Sequence, residues 1–105
     1  MNPASIFASI PDHIPEEITE KIVNARSVRI ERILSCGHTS PLSGWYDQEE
    51  NEWVIVLQGA GTITFANGDT VHLVPGGYLN IPRHTRHRVS WTDPAEVTVW
   101  LAVFY

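Results

Sequence analysis

The chain is predicted to adopt an all-β fold, either a sandwich, a jelly roll or a barrel, with one short helix at the N-terminus. From residue 27 onward, short apolar segments show the alternation that is typical of strands. Glycine and proline recur between these segments at short intervals, as they do in turns. Asn67–Gly68 also separates two such segments, and this dipeptide supplies the positive φ angles that a tight hairpin needs.

Size and charge limit the functions open to the chain. At 105 residues it is long enough for one hydrophobic core, so we predict a single domain. The formal net charge is −5 and the basic residues are scattered, which argues against nucleic acid as a partner. The longest apolar runs, residues 53–57 and 99–105, are far shorter than the roughly 20 residues that cross a bilayer, so no membrane partner is expected.

Cysteine usage and the N-terminal composition indicate the compartment. Cys36 is the only cysteine, so the chain cannot form an internal disulfide. Residues 1–10 lack the basic and then apolar order of a signal peptide. We therefore expect a cytoplasmic protein.

Residues 1–26 are predicted to be an N-terminal extension that carries the short helix, over residues 15–24. Pro15 suits the first turn of a helix, and two acidic residues follow it, where the helix dipole favours negative charge. Apolar Ile18 and Ile22 then lie on one side of the helix.

The remaining chain, residues 27–105, is predicted to be the β domain. Its apolar segments are four to seven residues long and end at glycine, proline or asparagine, which is the pattern of short strands joined by turns. The predicted strands are residues 28–34, 53–57, 62–65, 70–73, 78–81, 87–91 and 99–104.

Two of these strands, residues 53–57 and 99–104, are apolar on both faces, so both faces need a cover. In a chain of this size a second copy is a natural cover, and twofold oligomers are common. We therefore predict a homodimer. The alternative is that the N-terminal extension alone supplies the second layer, through its large apolar residues Ile6, Phe7, Ile10 and Ile14.

Two spacing patterns in the β domain point to a functional site. Glu52 is followed, after six residues, by Gly59. Gly76 is followed, after five residues, by Pro82, and His87 comes five positions further on. A β-barrel can bring Glu52 and His87 together around a metal ion, and these residue types are common metal ligands.

These patterns resemble the two motifs of the cupin superfamily, over about residues 37–91. The family motifs are G-x5-H-x-H-x3-4-E-x6-G and G-x5-P-x-G-x2-H-x3-N. Their two first histidines, the glutamate and the last histidine bind one metal inside a jelly-roll barrel. The resemblance therefore implies a cupin-type jelly-roll β-barrel in which Glu52 and His87 are metal ligands.

The chain departs from the family motifs at positions that matter for function. Tyr46 and Gln48 stand where the first motif has its two histidines. The resemblance thus implies a metal site made of Tyr46, Gln48, Glu52 and His87. Because a glutamine carbonyl is neutral and a phenol binds well only when deprotonated, these changes weaken a site for zinc, iron or nickel and favour manganese by comparison. The expected cofactor is one of these four divalent metals.

Two further histidines are candidate ligand-binding residues. His38 precedes the first motif and could supply a missing nitrogen. His84 replaces the glycine of the second motif and lies across a turn from His87. The alternative for both is that they are hydrogen-bonded residues at the surface, as isolated histidines commonly are.

Three functions follow from these residues. The first is a metal-dependent cupin enzyme, such as a dioxygenase or an isomerase, in which Gln48, Glu52 and His87 hold a divalent ion and Tyr46 is either a further ligand or an acid. The second is a metal-free module that binds a small molecule inside the barrel, with an anion among the candidate ligands and with Tyr46, Gln48, Glu52 and His87 as hydrogen-bonding groups. The third is a structural or regulatory dimer whose polar interior only satisfies its own hydrogen bonds.

Overall fold

The computed structural model describes residues 1–105 and contains eight β-strands. They are β1 (Ile18–Asn24), β2 (Arg29–Ser35), β3 (Glu52–Gln58), β4 (Gly61–Phe65), β5 (Thr70–Leu73), β6 (Tyr78–Ile81), β7 (His87–Thr92) and β8 (Thr98–Phe104). All neighbouring strands are antiparallel. The all-β prediction is confirmed.

The strands form two sheets that pack as a jelly roll. The first sheet has five strands in the order β1-β2-β8-β3-β6, and the second has three in the order β5-β4-β7. No strand of one sheet pairs with a strand of the other, so the expected barrel is not closed. The two sheets are therefore held together by the packing of their side chains and not by backbone hydrogen bonds between their strands.

The predicted N-terminal helix is wrong, because strand β1 occupies most of residues 15–24. β1 pairs with β2, and Ile18 lies opposite Leu34. More than half of the β1 side chains are β-branched, which suits a pleated strand better than a helix. The free edge of β2 offers a full ladder of hydrogen bonds, and this pairing outweighs the helical spacing of the apolar residues.

The chain has no helix long and apolar enough to span a bilayer.

Two glycines allow the tight geometry of the smaller sheet. Gly68 has a φ angle of +96° in the turn between β4 and β5, which confirms the predicted hairpin. Gly61, at the start of β4, lies so close to the Trp100 ring that a Cβ atom there would overlap it. The absence of a side chain at Gly61 lets the two sheets approach at this point.

The main core lies between the sheets. It is made of buried residues from both sheets: Val54, Val56, Ile63, Leu73, Ile81, Trp100, Ala102 and Phe104. The Trp100 indole donates a 2.9 Å hydrogen bond to Ser35 Oγ, so its one polar atom is satisfied inside the core. Burial of this cluster supplies most of the hydrophobic stabilisation that holds the two sheets face to face.

The N-terminal segment covers one end of the outer face of the larger sheet. Ile14 packs there in a second buried cluster with Leu34 and Val99. Arg32, which is only 6% exposed, donates hydrogen bonds to the carbonyl oxygens of Ile6 (3.1 Å) and Ala8 (2.6 Å). Its guanidinium thus ties the segment to β2.

The centre of the same outer face is covered only in part. Trp53 and Val103 form a cross-strand pair there, as do Ile55 and Leu101, and all four are half-buried. The Trp53 ring also contacts that of Tyr78, with ring centres 5.5 Å apart. This apolar patch on β3, β6 and β8 lies beyond the second buried cluster.

Candidate functional site

A cavity of about 220 Å³ lies between the two sheets, on the inner face of the larger one. Its polar lining is formed by Glu17, Thr19, Arg29, Glu31, Tyr46, Gln48 and Glu52. Its apolar walls are Ile33, Val54, Val89, Trp100 and Phe104. The alternation of side chains along each strand explains why these residues line one cavity, because side chains two residues apart on one strand point to the same face.

Glu52 and His87 form a buried pair at this site. Glu52 begins β3 opposite Phe104, and His87 begins β7 in the other sheet, so the pair bridges the sheets. His87 Nε2 lies 3.4 Å from Glu52 Oε1. Only 4% of His87 and 9% of Glu52 are exposed, so the pair is largely withdrawn from water.

The second nitrogen of His87 fixes the orientation of the ring. His87 Nδ1 lies 2.7 Å from the carbonyl oxygen of Thr85. A carbonyl oxygen can only accept, so Nδ1 carries a hydrogen and Nε2 is the nitrogen that faces Glu52. The ring therefore presents one defined atom, Nε2, to the Glu52 carboxylate.

Competing effects set the pKa of His87. Burial lowers it, because a low dielectric disfavours the imidazolium form. The hydrogen bonds to Glu52 and to the Thr85 carbonyl, with the negative charge of Glu52, outweigh burial and raise the pKa above the usual 6.5. A larger share of His87 is therefore imidazolium, ion-paired with Glu52, than would be the case for a free histidine.

Tyr46 and Gln48 reach the cavity from the segment that precedes β3. Tyr46 pairs with His87 through two backbone hydrogen bonds, of 2.8 and 3.2 Å, along the edge of β7. Its ring centre lies 5.7 Å from that of His87. Tyr46 remains 44% exposed, which places it at the mouth of the cavity, whereas Gln48 is half-buried. The structure thus brings Tyr46, Gln48 and Glu52 around one cavity, with His87 in contact with Glu52.

A charged network in the cavity was missed by the sequence analysis. Arg29 donates from Nε to Glu31 (2.8 Å) and from Nη1 to Glu50 (3.0 Å), and its guanidinium lies 4.2 Å from the centre of the Phe104 ring. The alternation in β2 predicts that Arg29 and Glu31 share a face. Alternation alone does not reveal that this polar face points inward and that apolar Ile30 faces outward. The available signal for this orientation was the long segment before β2, because that segment covers the outer face of the sheet and therefore needs apolar residues there.

His84 lies in the turn before β7 and not in the cavity lining. Its backbone has a φ angle of +59°, a conformation that glycine, the residue of the family motif, adopts freely. His84 Nδ1 lies 2.8 Å from Asp47 Oδ1, and its backbone amide donates to the Gln48 carbonyl. The side chain is 58% exposed. His84 therefore links the turn to the segment that carries Tyr46 and Gln48.

His38 also lies outside the cavity lining. Its Nδ1 accepts a 2.9 Å hydrogen bond from the Cys36 backbone amide, so its Nε2 must donate to the Pro15 carbonyl, 3.1 Å away. Both ring nitrogens are thus used to hold the chain before β1 against the turn after β2.

A larger but shallower depression, of about 450 Å³, lies on the outer face under the N-terminal segment. Its only charged residues are Glu20 and Arg32, which pair with each other at 2.6 Å. It holds no group that is set up for proton transfer or ligation, so the interior cavity is the better candidate.

Comparison with known proteins settles the family. Residues 37–104 match the family model described as the cupin domain. The chain belongs to the cupins. No curated protein matches this cupin closely enough to supply a function.

Solved structures support the same assignment. A candidate mannose-6-phosphate isomerase from Ralstonia eutropha JMP134 is 40% identical to this cupin, with a TM-score of 0.93 over 99% of this chain and 97% of the other. A cupin superfamily protein from Desulfitobacterium hafniense DCB-2 is 19% identical, with a TM-score of 0.79 over 99% of this chain and 91% of the other. At that identity the second protein shows the fold alone.

The donor set of this cupin fits a resident transition-metal ion poorly. Zinc, iron and nickel sites in proteins commonly have three or more histidine, cysteine or carboxylate ligands. No three such side chains are grouped in this chain in a way that could hold a metal ion. Glu52 and His87 contact each other, while Gln48 and Tyr46 add only an amide and a phenol. Metal binding at His87 would also require the imidazolium form to lose a proton, and Glu52 stabilises that form.

Proposed function

We propose that this cupin binds a small polar molecule in the interior cavity, without a resident metal ion. The observation that carries the proposal is the buried Glu52–His87 pair, of which Glu52 lines the cavity. Burial of an ion pair costs free energy, and an apolar pair of similar volume is often no less stable. A ligand that hydrogen-bonds to the pair gives a reason for keeping it.

The size of the cavity limits the ligand. At about 220 Å³ it is smaller than the roughly 300–1,000 Å³ of pockets for drug-sized molecules. Trp100 and Phe104 contribute apolar surface to the lining, and Gln48 and Tyr46 contribute hydrogen-bonding groups. A small metabolite with an apolar face and a few polar groups fits this lining.

An isomerase type of reaction is the enzymatic form of this proposal. Two observations favour it, namely the 40% identity to the candidate sugar-phosphate isomerase and the contact of Glu52, a lining residue, with His87. In such a reaction the Glu52 carboxyl, which lines the cavity, accepts or donates the proton, and His87 Nε2, 3.4 Å away, stabilises its charged form. Tyr46, at the mouth, supplies a hydroxyl that can donate to a substrate oxygen.

The experiment is a binding screen of small metabolites by thermal shift, followed by titration of each hit. We expect hits for the wild type to be lost in Glu52→Gln and in His87→Gln. The control is Glu49→Gln, which removes an exposed carboxylate from the same segment and should leave binding unchanged. Hits that persist in both cavity variants would place the ligand elsewhere.

Metal content tests the second part of the proposal, that the cavity holds no resident metal ion. We expect elemental analysis of untagged protein to show far less than one metal ion per chain, also after incubation with manganese, iron, nickel or zinc. Stoichiometric metal that disappears in His87→Gln would instead support the metal-dependent enzyme.

We also propose a reducing, cytoplasmic location. Cys36 is a free thiol, half-buried next to the Pro94 carbonyl, and the chain offers it no disulfide partner. Reduced cysteines are the rule in that compartment.

A further inference from the structure

The charges around the interior cavity are predominantly negative. Glu17, Glu31 and Glu52 line it, whereas Arg29 is its only lysine or arginine. Glu50 approaches Arg29 from outside the lining. With His87 counted as a cation, carboxylates still outnumber cations two to one.

Neither cation is free to receive an anionic ligand. Arg29 is held by Glu31 and Glu50 on its edge and by the Phe104 ring on its face. His87 is held by Glu52 and by the Thr85 carbonyl. An anion that recruited either cation would have to break an existing ion pair and leave a carboxylate unpaired, which is costly in a partly buried site.

Glu17 contributes negative charge that nothing in the cavity neutralises. It stands at the rim and is exposed to solvent on its outer side. Burial nevertheless raises its pKa, and nearby His38 offsets this rise only in part. No hydrogen bond or ion pair holds the Glu17 carboxyl, so a cation or a hydroxyl donor in the cavity would stabilise its charged form.

We propose that the cavity takes an uncharged or cationic polar molecule and repels phosphate esters and other anions. The inference rests on the proposed function, because it concerns the ligand of the same cavity. Fields are focused in clefts with low-dielectric walls, and they change the local concentration of charged solutes by factors of 10 to 1,000. A sugar phosphate, the ligand suggested by the name of the Ralstonia relative, is thus disfavoured for this chain.

The test measures this field directly and needs no known ligand. Gln48→Cys, in a Cys36→Ser background, places one thiol in the cavity wall. Three ethyl methanethiosulfonates, which carry a trimethylammonium, a hydroxyl or a sulfonate group, then react with it, and mass spectrometry follows the rates. Val74→Cys in the same background is the surface control, because Val74 is 53% exposed. Any change in thiol pKa affects all three reagents alike and cancels in the ratios.

We expect the rate ratio of the trimethylammonium to the sulfonate reagent to be about 10-fold higher at Gln48→Cys than at Val74→Cys. Adding Glu17→Gln should lower that ratio. Val89→Cys repeats the measurement from the β7 wall and serves if Gln48→Cys does not fold. An equal or lower ratio at the cavity thiols than at Val74→Cys would overturn the inference.

Failure of the proposed function gives a different result. If the cavity is closed to small molecules, the neutral hydroxyl reagent will modify Val74→Cys but neither cavity thiol. A cavity that reacts rapidly with the hydroxyl and sulfonate reagents alike would keep the binding proposal and reject the charge selectivity.

Discussion

The Glu52–His87 pair makes the interior of this cupin sensitive to protonation. Folding raises the pKa of His87 above 6.5, because the favourable bonds to Glu52 and Thr85 outweigh the cost of burial. The folded state therefore binds the proton more tightly than the unfolded state does. The resulting stabilisation is complete below pH 6.5 and is lost as the pH rises through the raised pKa.

We therefore predict that the wild type loses stability relative to His87→Gln between pH 6 and pH 9. Urea unfolding of both proteins at the two pH values gives the difference in unfolding free energy. Glu52→Gln is the matched control, since it removes the charge that raises the His87 pKa and should flatten the pH dependence. A stability difference that stays constant from pH 6 to pH 9 would contradict the pairing.

Sequence spacing predicted the positions of some residues of the site but not of others. The distance along the chain from Glu52 to Gly59 and from Gly76 to His87 predicts that Glu52 and His87 meet, because the family motifs encode strand positions. The Arg29 network could not be predicted in the same way. Alternation groups residues by face, but it is tertiary packing that decides which face is inside.

The turn between β6 and β7 shows how an element can hold strain. His84 takes the left-handed conformation in place of a glycine, at a cost of about 1–2 kcal/mol for a residue with a side chain. Its bond to Asp47 is exposed, and such pairs return only about 0.2–1 kcal/mol. The turn is thus kept in this shape by its neighbours rather than by its own residue.

We predict that His84→Gly stabilises the protein by about 0.5–1 kcal/mol, after allowance for the greater freedom of glycine in the unfolded chain. Chemical denaturation measures the change. His84→Ala is the control, because it removes the imidazole and keeps the strained Cβ, so it should not be stabilising. Equal stability of the glycine and alanine variants would show that position 84 carries no backbone strain.

Strand β1 marks the limit of local patterns. Ile18 and Ile22 have helical spacing and follow acidic residues, yet the segment pairs with β2. A seven-residue segment is too short for helix propensity to decide its state, and it pairs with the strand that follows it directly, with Asn24 opposite Arg29. The link of residues 25–28 lacks the Asn-Gly type of turn signal that would have predicted this hairpin. The Asn67–Gly68 hairpin was predictable because its turn chemistry is local.

At the scale of the whole molecule, the apolar patch on the outer face needs a cover. Its central pairs, Trp53–Val103 and Ile55–Leu101, lie on β8, the central strand of the larger sheet, and on its neighbour β3, and they carry no charge. The N-terminal segment packs on the β2 end of this face. We propose that a second copy covers the rest, because a flat uncharged patch can pair with itself about a twofold axis.

We predict that the wild type is a dimer of 11.8 kDa chains and that Leu101→Lys raises its dissociation constant by roughly 100-fold, because each copy would bury an unpaired charge. Analytical ultracentrifugation measures both proteins. Val74→Lys adds the same charge at an exposed turn and should remain a dimer. A monomeric wild type, or an unchanged dissociation constant in Leu101→Lys, would contradict the proposal.

The arrangement of the sheets was predictable only as a class. Short alternating strands and regular turns predict an all-β molecule, and the motif spacings narrow it to a jelly roll. The split into five and three strands depends on which edges pair across long sequence separations. Such pairings leave no mark in a single sequence, so the closed barrel was expected where two separate sheets occur.

The surroundings of Trp100 make this protein its own optical probe. Trp100 is 3% exposed and lines the cavity, with its indole hydrogen-bonded to a buried hydroxyl. Trp45 and Trp91 are 38% and 41% exposed, so their emission lies further to the red and is open to quenching by acrylamide. The fourth tryptophan, Trp53, is half-buried on the outer face, so a Trp53→Phe variant removes its contribution. In that variant the blue fluorescence that remains with acrylamide comes mostly from the cavity wall, and a molecule that enters the cavity changes its intensity or wavelength without any label.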